Sequence, residues 1–182
     1  MTLRAAQPGD LFLLLLPTAD PQATPPIWQT EWQARYGGNC TQPLHVSIQR
    51  FTCTDPAQLP ALADALQMAT TAHKAIPVAG IALQPLLSGF RQNLILKCRL
   101  QQNAALHALS DLTRAQLTQQ NLIPDFPWYP DLITVLEDID PIPVGQILLP
   151  TPQPLFIGNE LLLSRVIARN TYLPIRQWQL LD

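Results

Sequence analysis

The chain has 182 residues, which suits one domain, or two small lobes over a shared core, and is too short for two independent full-sized domains. Hydrophobic residues make up 47% and charged residues 13%, a balance that excludes intrinsic disorder. The net charge of -2 and pI near 5.8 exclude a broad basic surface for duplex DNA, so any nucleic-acid contact is expected to be short and end-specific.

The first strong signal is the apolar run Leu11 to Leu16 (LFLLLL), bounded by Asp10 and Pro17. It is far below the roughly 20 residues that span a bilayer, so it reads as a buried strand. A signal peptide is the competing reading, because Arg4 precedes the run. Thr18 to Pro26 is rich in proline and is expected to be loop. Ile27 to Tyr36 places Ile27, Trp28, Trp32 and Tyr36 at helical spacing, and Gly37-Gly38 supplies a stop. Leu44 to Phe51 (LHVSIQRF) alternates as a strand does. Asp55-Pro56 looks like the start of a helix that runs to about Thr71.

Ile76 to Leu83 and Gln92 to Leu100 read as an antiparallel pair joined by a turn around Ser88-Gly89. Asn103 then caps a helix carrying Leu106, Leu109, Leu112 and Leu117. Ile123 to Pro130 is expected to be loop and Leu132 to Leu136 strand. Leu155 to Ala168, turning near Gly158-Asn159, and Thr171 to Leu181 close the chain as strands. Helices interspersed with short antiparallel runs predict an α+β domain over 1–182. Three cysteines, Cys40, Cys53 and Cys98, suggest neither a disulfide framework nor a zinc site, and point to a reducing cytoplasm.

Two segments can be laid over each other. His45 falls on Leu132 and Ser47 on Thr134, both 87 positions apart (132 − 45 and 134 − 47). By alternation His45 and Ser47 share one strand face, and Leu132, Thr134 and Leu136 share another, the two facing each other across a cleft.

Pro43-Leu44-His45-Val46-Ser47-Ile48-Gln49-Arg50-Phe51 after an amphipathic helix resembles the first His-x-Thr/Ser motif of the two-histidine (2H) phosphoesterases, which include the 2'-5' RNA ligase-like and cyclic phosphodiesterase proteins. The second motif of that family reads Pro-His-x-Thr. Its frame survives here as Trp128-Tyr129-Pro130-Asp131-Leu132-Ile133-Thr134, with Leu132 where the second histidine would stand. Glu160 to Arg165, followed by Tyr172 to Leu180, is similar to the family's last hairpin.

The resemblance implies two pseudo-symmetric antiparallel sheets around a central cleft with helices outside. It also implies metal- and cofactor-free hydrolysis of a 2',3'-cyclic or 2'-5' phosphate, His45 serving as acid or base and Ser47 and Thr134 as phosphate anchors. The expected partner is a nucleotide or an RNA end, not duplex DNA and not a membrane.

Leu132 cannot move a proton, and losing a general acid or base typically costs about 10²- to 10⁴-fold. Asp131 could substitute only if a bulge turned it inward. Trp128 and Tyr129 either stack on a base or pack at the rim. Lys97 and Arg99 share a face that is either cleft, where they would attract phosphate, or solvent. His73 reads as a solvated helix-end residue and His107 as a helix-boundary residue. Three functions stay open: a phosphate-binding module with weak or lost turnover, an active phosphodiesterase, and a non-catalytic interaction protein.

Overall fold

The leucine-rich run forms β1 (Leu11–Leu16), and all six of its side chains are buried. The computed structural model describes residues 6–17, 24–71, 73–88, 93–125, 129–142, 145–168 and 171–181, with the backbone alone at 69. β1 pairs antiparallel with β3 (Val46–Phe51) on one side and β8 (Glu160–Ala168) on the other. With β9 (Thr171–Gln179) they form a four-stranded sheet in the order β3-β1-β8-β9.

Leu11, Leu13 and Leu15 enter the main core, whereas Phe12, Leu14 and Leu16 join Val166 in a second apolar cluster. Both faces of the strand are therefore covered, which is why its sequence is solidly apolar rather than alternating. Each such buried side chain contributes about 1.5–3 kcal/mol.

The second sheet has the order β2-β6-β5-β4-β7. Its strands are β2 (Asn39–Cys40), β4 (Ile76–Leu87), β5 (Leu94–Leu100), β6 (Leu132–Glu137) and β7 (Ile147–Gly158). Helix α1 (Ile27–Tyr36) packs against β2 and β6. Helices α2 (Leu59–Thr70) and α3 (Ala104–Gln119) pack on each other and on β9 and β3 respectively. The result is α+β and two-lobed: among the described residues there are two antiparallel sheets and three α-helices, with residues of both sheets in one main core.

Several boundaries differ from the sequence expectation for identifiable reasons. β7 begins at Ile147 rather than Leu155, and its Pro150, Pro152 and Pro154 masked it. It is an edge strand, where a proline without an N–H removes no ladder bond on the open side. β4 likewise continues through Pro85 to Leu87. Pro56–Gln58 is a turn of 3-10 helix, with the Asp55 carboxylate accepting from the Ala57 N–H at 3.0 Å, and α2 starts only at Leu59. The strand expected from Leu44 starts at Val46. Residues 18–23 of the stretch expected to be loop, Thr18 to Pro26, lie outside the described residues, as do Gly89 and Gln92.

In α1 the expected apolar stripe is shifted. Ile27 is exposed, and Gln29 is fully buried beside Trp28. The Gln29 amide donates to the carbonyl of Val135 at 2.7 Å and of Thr41 at 3.2 Å, and its oxygen accepts from Gln42 Nε2 at 3.2 Å. It thus fastens α1 to β6 with buried hydrogen bonds. Gly37 and Gly38 then end the helix with φ of 71° and 79°. A Cβ at Gly38 would run into the Glu137 carbonyl oxygen, so the chain can pass β6 only as glycine. Gln29→Leu is expected to destabilise the fold by about 1–3 kcal/mol, because it strands buried carbonyl and amide partners. Urea unfolding of the variant measures this, and an unchanged midpoint would remove Gln29 from the account.

Candidate functional site

The two strands that carry the suspected motifs break their alternation at the same point. Along β3, Leu14 pairs with Ser47 but Leu13 pairs with Gln49, so Ile48 is a bulged residue. Along β6, Lys97 pairs with Thr134 but Leu96 pairs with Leu136, so Val135 is bulged. Ile48 and Val135 are again 87 positions apart (135 − 48), and both are fully buried. The internal repeat inferred from sequence thus extends to backbone geometry.

The bulges decide which side chains share the polar face. On β6, Leu132 and Thr134 are half-buried on one face, opposite Arg99 and Lys97 respectively, while Ile133 and Val135 enter the core. After the bulge Leu136 is fully buried in that core, and Glu137 takes the polar face beside Ile95. The expectation that Leu136 lines the cleft is corrected accordingly: one inserted residue exchanges the faces of everything beyond it. On β3 the same shift puts Arg50 with Phe12, and its guanidinium is held by Asp125 at 2.7 Å.

His45 is half-buried just before β3. Its Nδ1 lies 2.8 Å from the Pro43 carbonyl oxygen, which can only accept, so Nδ1 carries the hydrogen. Nε2 of the neutral ring then presents a lone pair. Burial pushes the imidazole pKa below its ordinary value and the Lys97 ammonium pushes the same way, while the Pro43 hydrogen bond and the Glu137 carboxylate oppose them. A neutral imidazole with Nε2 open is a proton acceptor.

Tyr172 of β9, to which the sequence reading gave no role at the site, meets His45 edge to face with ring centroids 5.7 Å apart, and meets Phe12 at 5.8 Å. β3 and β9 are the two edges of a four-stranded sheet, which laid flat would hold them about 14 Å apart at the usual strand spacing. The rings can touch because the sheet curls. Burial, then the Glu137 charge, raise the Tyr172 phenol pKa. Neither Tyr172 nor Glu137 stands at a distinctive spacing in the sequence, and both depend on curl or bulge for their place.

The cations are brought to the same face. Lys97 and Arg99 are half-buried in register with Thr134 and Leu132. Burial lowers the Lys97 pKa, and the Asp131 carboxylate partly offsets this. Asp131 precedes β6, and its carboxylate stands 3.6 Å from the Arg99 guanidinium, while the strand's bulge lies farther along, at Val135. Tyr129 lies against α3 instead: its ring stacks on His107 at 4.1 Å and its hydroxyl donates to Asp111 at 2.9 Å. Trp128 lies outside the described residues. His73 is half-buried after α2, where its carbonyl accepts from Leu181. Among the described residues no cluster of three or more His, Cys, Asp or Glu side chains is arranged for a metal, and no helix is long and apolar enough to cross a membrane.

The lowered His45 pKa has a definite sign in stability. Between the folded value and the ordinary 6.5 the unfolded chain binds the extra proton, so stability rises with pH there. The contribution is present above pH 6.5 and is lost as pH falls below it. Thermal unfolding across roughly pH 5–8 should show a steeper acid-side loss for wild type than for His45→Asn. Parallel curves would contradict it.

No protein-family model matches the chain, and no curated protein matches it in sequence. Solved structures do match in shape. A crystal structure of a phosphoesterase superposes with TM-score 0.64 at 17% identity, covering 96% of this chain and 100% of that one. Escherichia coli LigT, complexed with 3'-AMP, gives 0.63 at 15% identity over 97% of this chain and 100% of LigT. TT0787 of Thermus thermophilus gives 0.62 at 14% identity over 94% and 97%. The whole two-sheet architecture is shared with these proteins, so the chain has the LigT-like fold.

Proposed function

We propose that the face between β3 and β6 binds the phosphate of a nucleotide or RNA end, with 2',3'-cyclic phosphodiesterase activity that is weak or lost. The observation that supports this reading is a neutral imidazole at His45 within the electrostatic reach of Lys97, on a β5–β6 face where Lys97 and Arg99 stand opposite Thr134 and Leu132. Hydroxyl donors and ammonium or guanidinium groups are what an anionic phosphoryl oxygen selects. LigT, which shares the fold, is known in complexes with 3'-AMP, ATP and phosphate, and this supports a nucleotide phosphate as the ligand.

In this reading His45 Nε2 takes the proton of a water or ribose hydroxyl, and Ser47 and Thr134 orient the phosphate. Leu132 leaves the leaving-group side without an imidazole, so turnover falls about 10²- to 10⁴-fold below that of a two-histidine site. The net charge of -2 argues against a broad basic surface, which suits an RNA end rather than a duplex. Free cysteines at Cys40, Cys53 and Cys98 suit a reducing cytoplasm.

Calorimetric titration with 3'-AMP and with inorganic phosphate tests the binding. Saturation is expected, with Ser47→Ala weaker by roughly tenfold or more, the loss of a hydrogen bond to a charged group. Absence of binding by either ligand would overturn the reading and leave an interaction protein. Leu132→His is expected to raise hydrolysis of a 2',3'-cyclic nucleotide by about tenfold or more, since it restores an acid or base at that position. A folded variant with no gain would count against matching Leu132 to His45.

A further inference from the structure

The two halves of the face differ in which strand carries the polar groups. In the first half they lie on the β3 side, at His45 and Ser47, and the neighbouring strand β1 places Leu14 opposite Ser47. In the second half the β6 positions are Leu132 and Thr134, and the neighbouring strand β5 places Arg99 and Lys97 directly opposite them. Side chains paired in this way start from Cα atoms only about 4.5–5.5 Å apart. Lys97, opposite Thr134, is the diagonal neighbour of Leu132, whose direct partner is Arg99. Diagonal positions lie about 7–8 Å apart, still within reach of a long side chain, so the Lys97 ammonium can extend over the ground that a side chain at 132 would have covered.

Of the groups gathered there, Lys97 alone combines proximity to His45, a positive charge and a proton that can be given up. Arg99 does not deprotonate and stands 3.6 Å from Asp131. Asp131 and Glu137 carry carboxyl groups rather than a cation, and Leu132 and Thr134 offer no acid. The chain has two lysines, Lys74 and Lys97, and one of them is half-buried on this face. Its charge is felt by the His45 imidazole.

Resting on the phosphate-binding reading above, we infer that Lys97 is a catalytic general acid that takes over the leaving-group side of the site vacated at Leu132, and that a weak hydrolysis of 2',3'-cyclic phosphates survives through it. Water attacks phosphorus and forms the new P–O bond as its proton passes to His45 Nε2. One ring P–O bond breaks, and the Lys97 ammonium delivers a proton to the departing ribose oxygen. The product is a phosphomonoester; His45 then returns its proton to solvent and Lys97 regains one. Burial lowers the Lys97 pKa, which favours donation, against the opposing charge of Asp131. The other charged or titratable groups gathered on this face are Arg99 on its own strand, Glu137 of β6, His45 before β3 and Tyr172 of β9.

The experiment compares wild type, Lys97→Met, Lys97→Arg and His45→Ala on a 2',3'-cyclic nucleotide and on an aryl phosphodiester whose nitrophenolate departs without a proton, with 3'-AMP binding measured alongside. Lys97→Met should lose about 100-fold or more in kcat on the cyclic substrate, at least tenfold less than that on the aryl ester, and the alkaline fall of the wild-type pH profile. Lys97→Arg should bind 3'-AMP nearly as wild type does yet fail to recover kcat. His45→Ala should lose on both substrates.

Full recovery by arginine, or equal losses on the two substrates, would make Lys97 a phosphate anchor and overturn the inference. A wild type that binds 3'-AMP but hydrolyses neither substrate overturns the general acid and leaves the binding reading standing. A wild type that neither binds nor hydrolyses removes both.

Discussion

The site depends on β1 being buried on both faces. A strand whose alternate side chains all leave water must have packing on each side, so the sheet built around it carries the main core on one face and a second apolar surface on the other. Phe12 and Leu14 of that second surface lie in register with Arg50 and Ser47, and Tyr172 closes over them from the far edge. His45 therefore sits against aromatic and aliphatic neighbours instead of open water, and the desolvation of its charged form keeps the ring neutral. The hydrophobic strand and the basicity of the imidazole are parts of one arrangement.

The matched bulges at Ile48 and Val135 are the second constraint. Each inserts one buried β-branched residue after the hydroxyl residue of its strand, and each returns a charged residue, Arg50 or Glu137, to the polar face. The halves then diverge. Arg50 is taken up by Asp125, while Glu137 acts on His45 and Tyr172. In the second half the positive charge comes from the strand next door. Pseudo-symmetry thus fixes the positions from which side chains enter the face, and the residues at those positions set the chemistry separately in each half.

Much of this was legible in the chain. The period-two alternation at His45, Val46 and Ser47 predicts the orientation of the first motif, and the 87-residue offset predicts the second strand. The Asn103 cap and the Gly37-Gly38 stop are local chemistry and stand where expected. Other features were hidden for particular physical reasons. Leu136 and Glu137 exchange faces because of one bulged residue, which leaves no trace in a hydrophobicity pattern. The prolines of β7 read as loop because only knowledge of the sheet order marks that strand as an edge. Ile27 falls in the apolar stripe by spacing yet is exposed, while Gln29 is buried because a carbonyl of β6 more than a hundred positions away accepts from its amide. Tyr129, a candidate base-stacking residue from its place in the motif frame, is drawn to His107 and Asp111 on α3.

By itself the sequence determined the elements whose signals are local: β1, the helices, the His45-x-Ser47 strand, and the absence of a histidine at position 132. These follow from side-chain periodicity and capping, which operate within a few residues. Only the tertiary structure decided that Lys97 and Arg99 stand opposite Thr134 and Leu132, that Tyr172 reaches His45, and that Asp131 lies at Arg99. Those relations depend on strand order, register shift and sheet curl. Each is set by long-range packing, and none is encoded in the spacing of neighbouring residues.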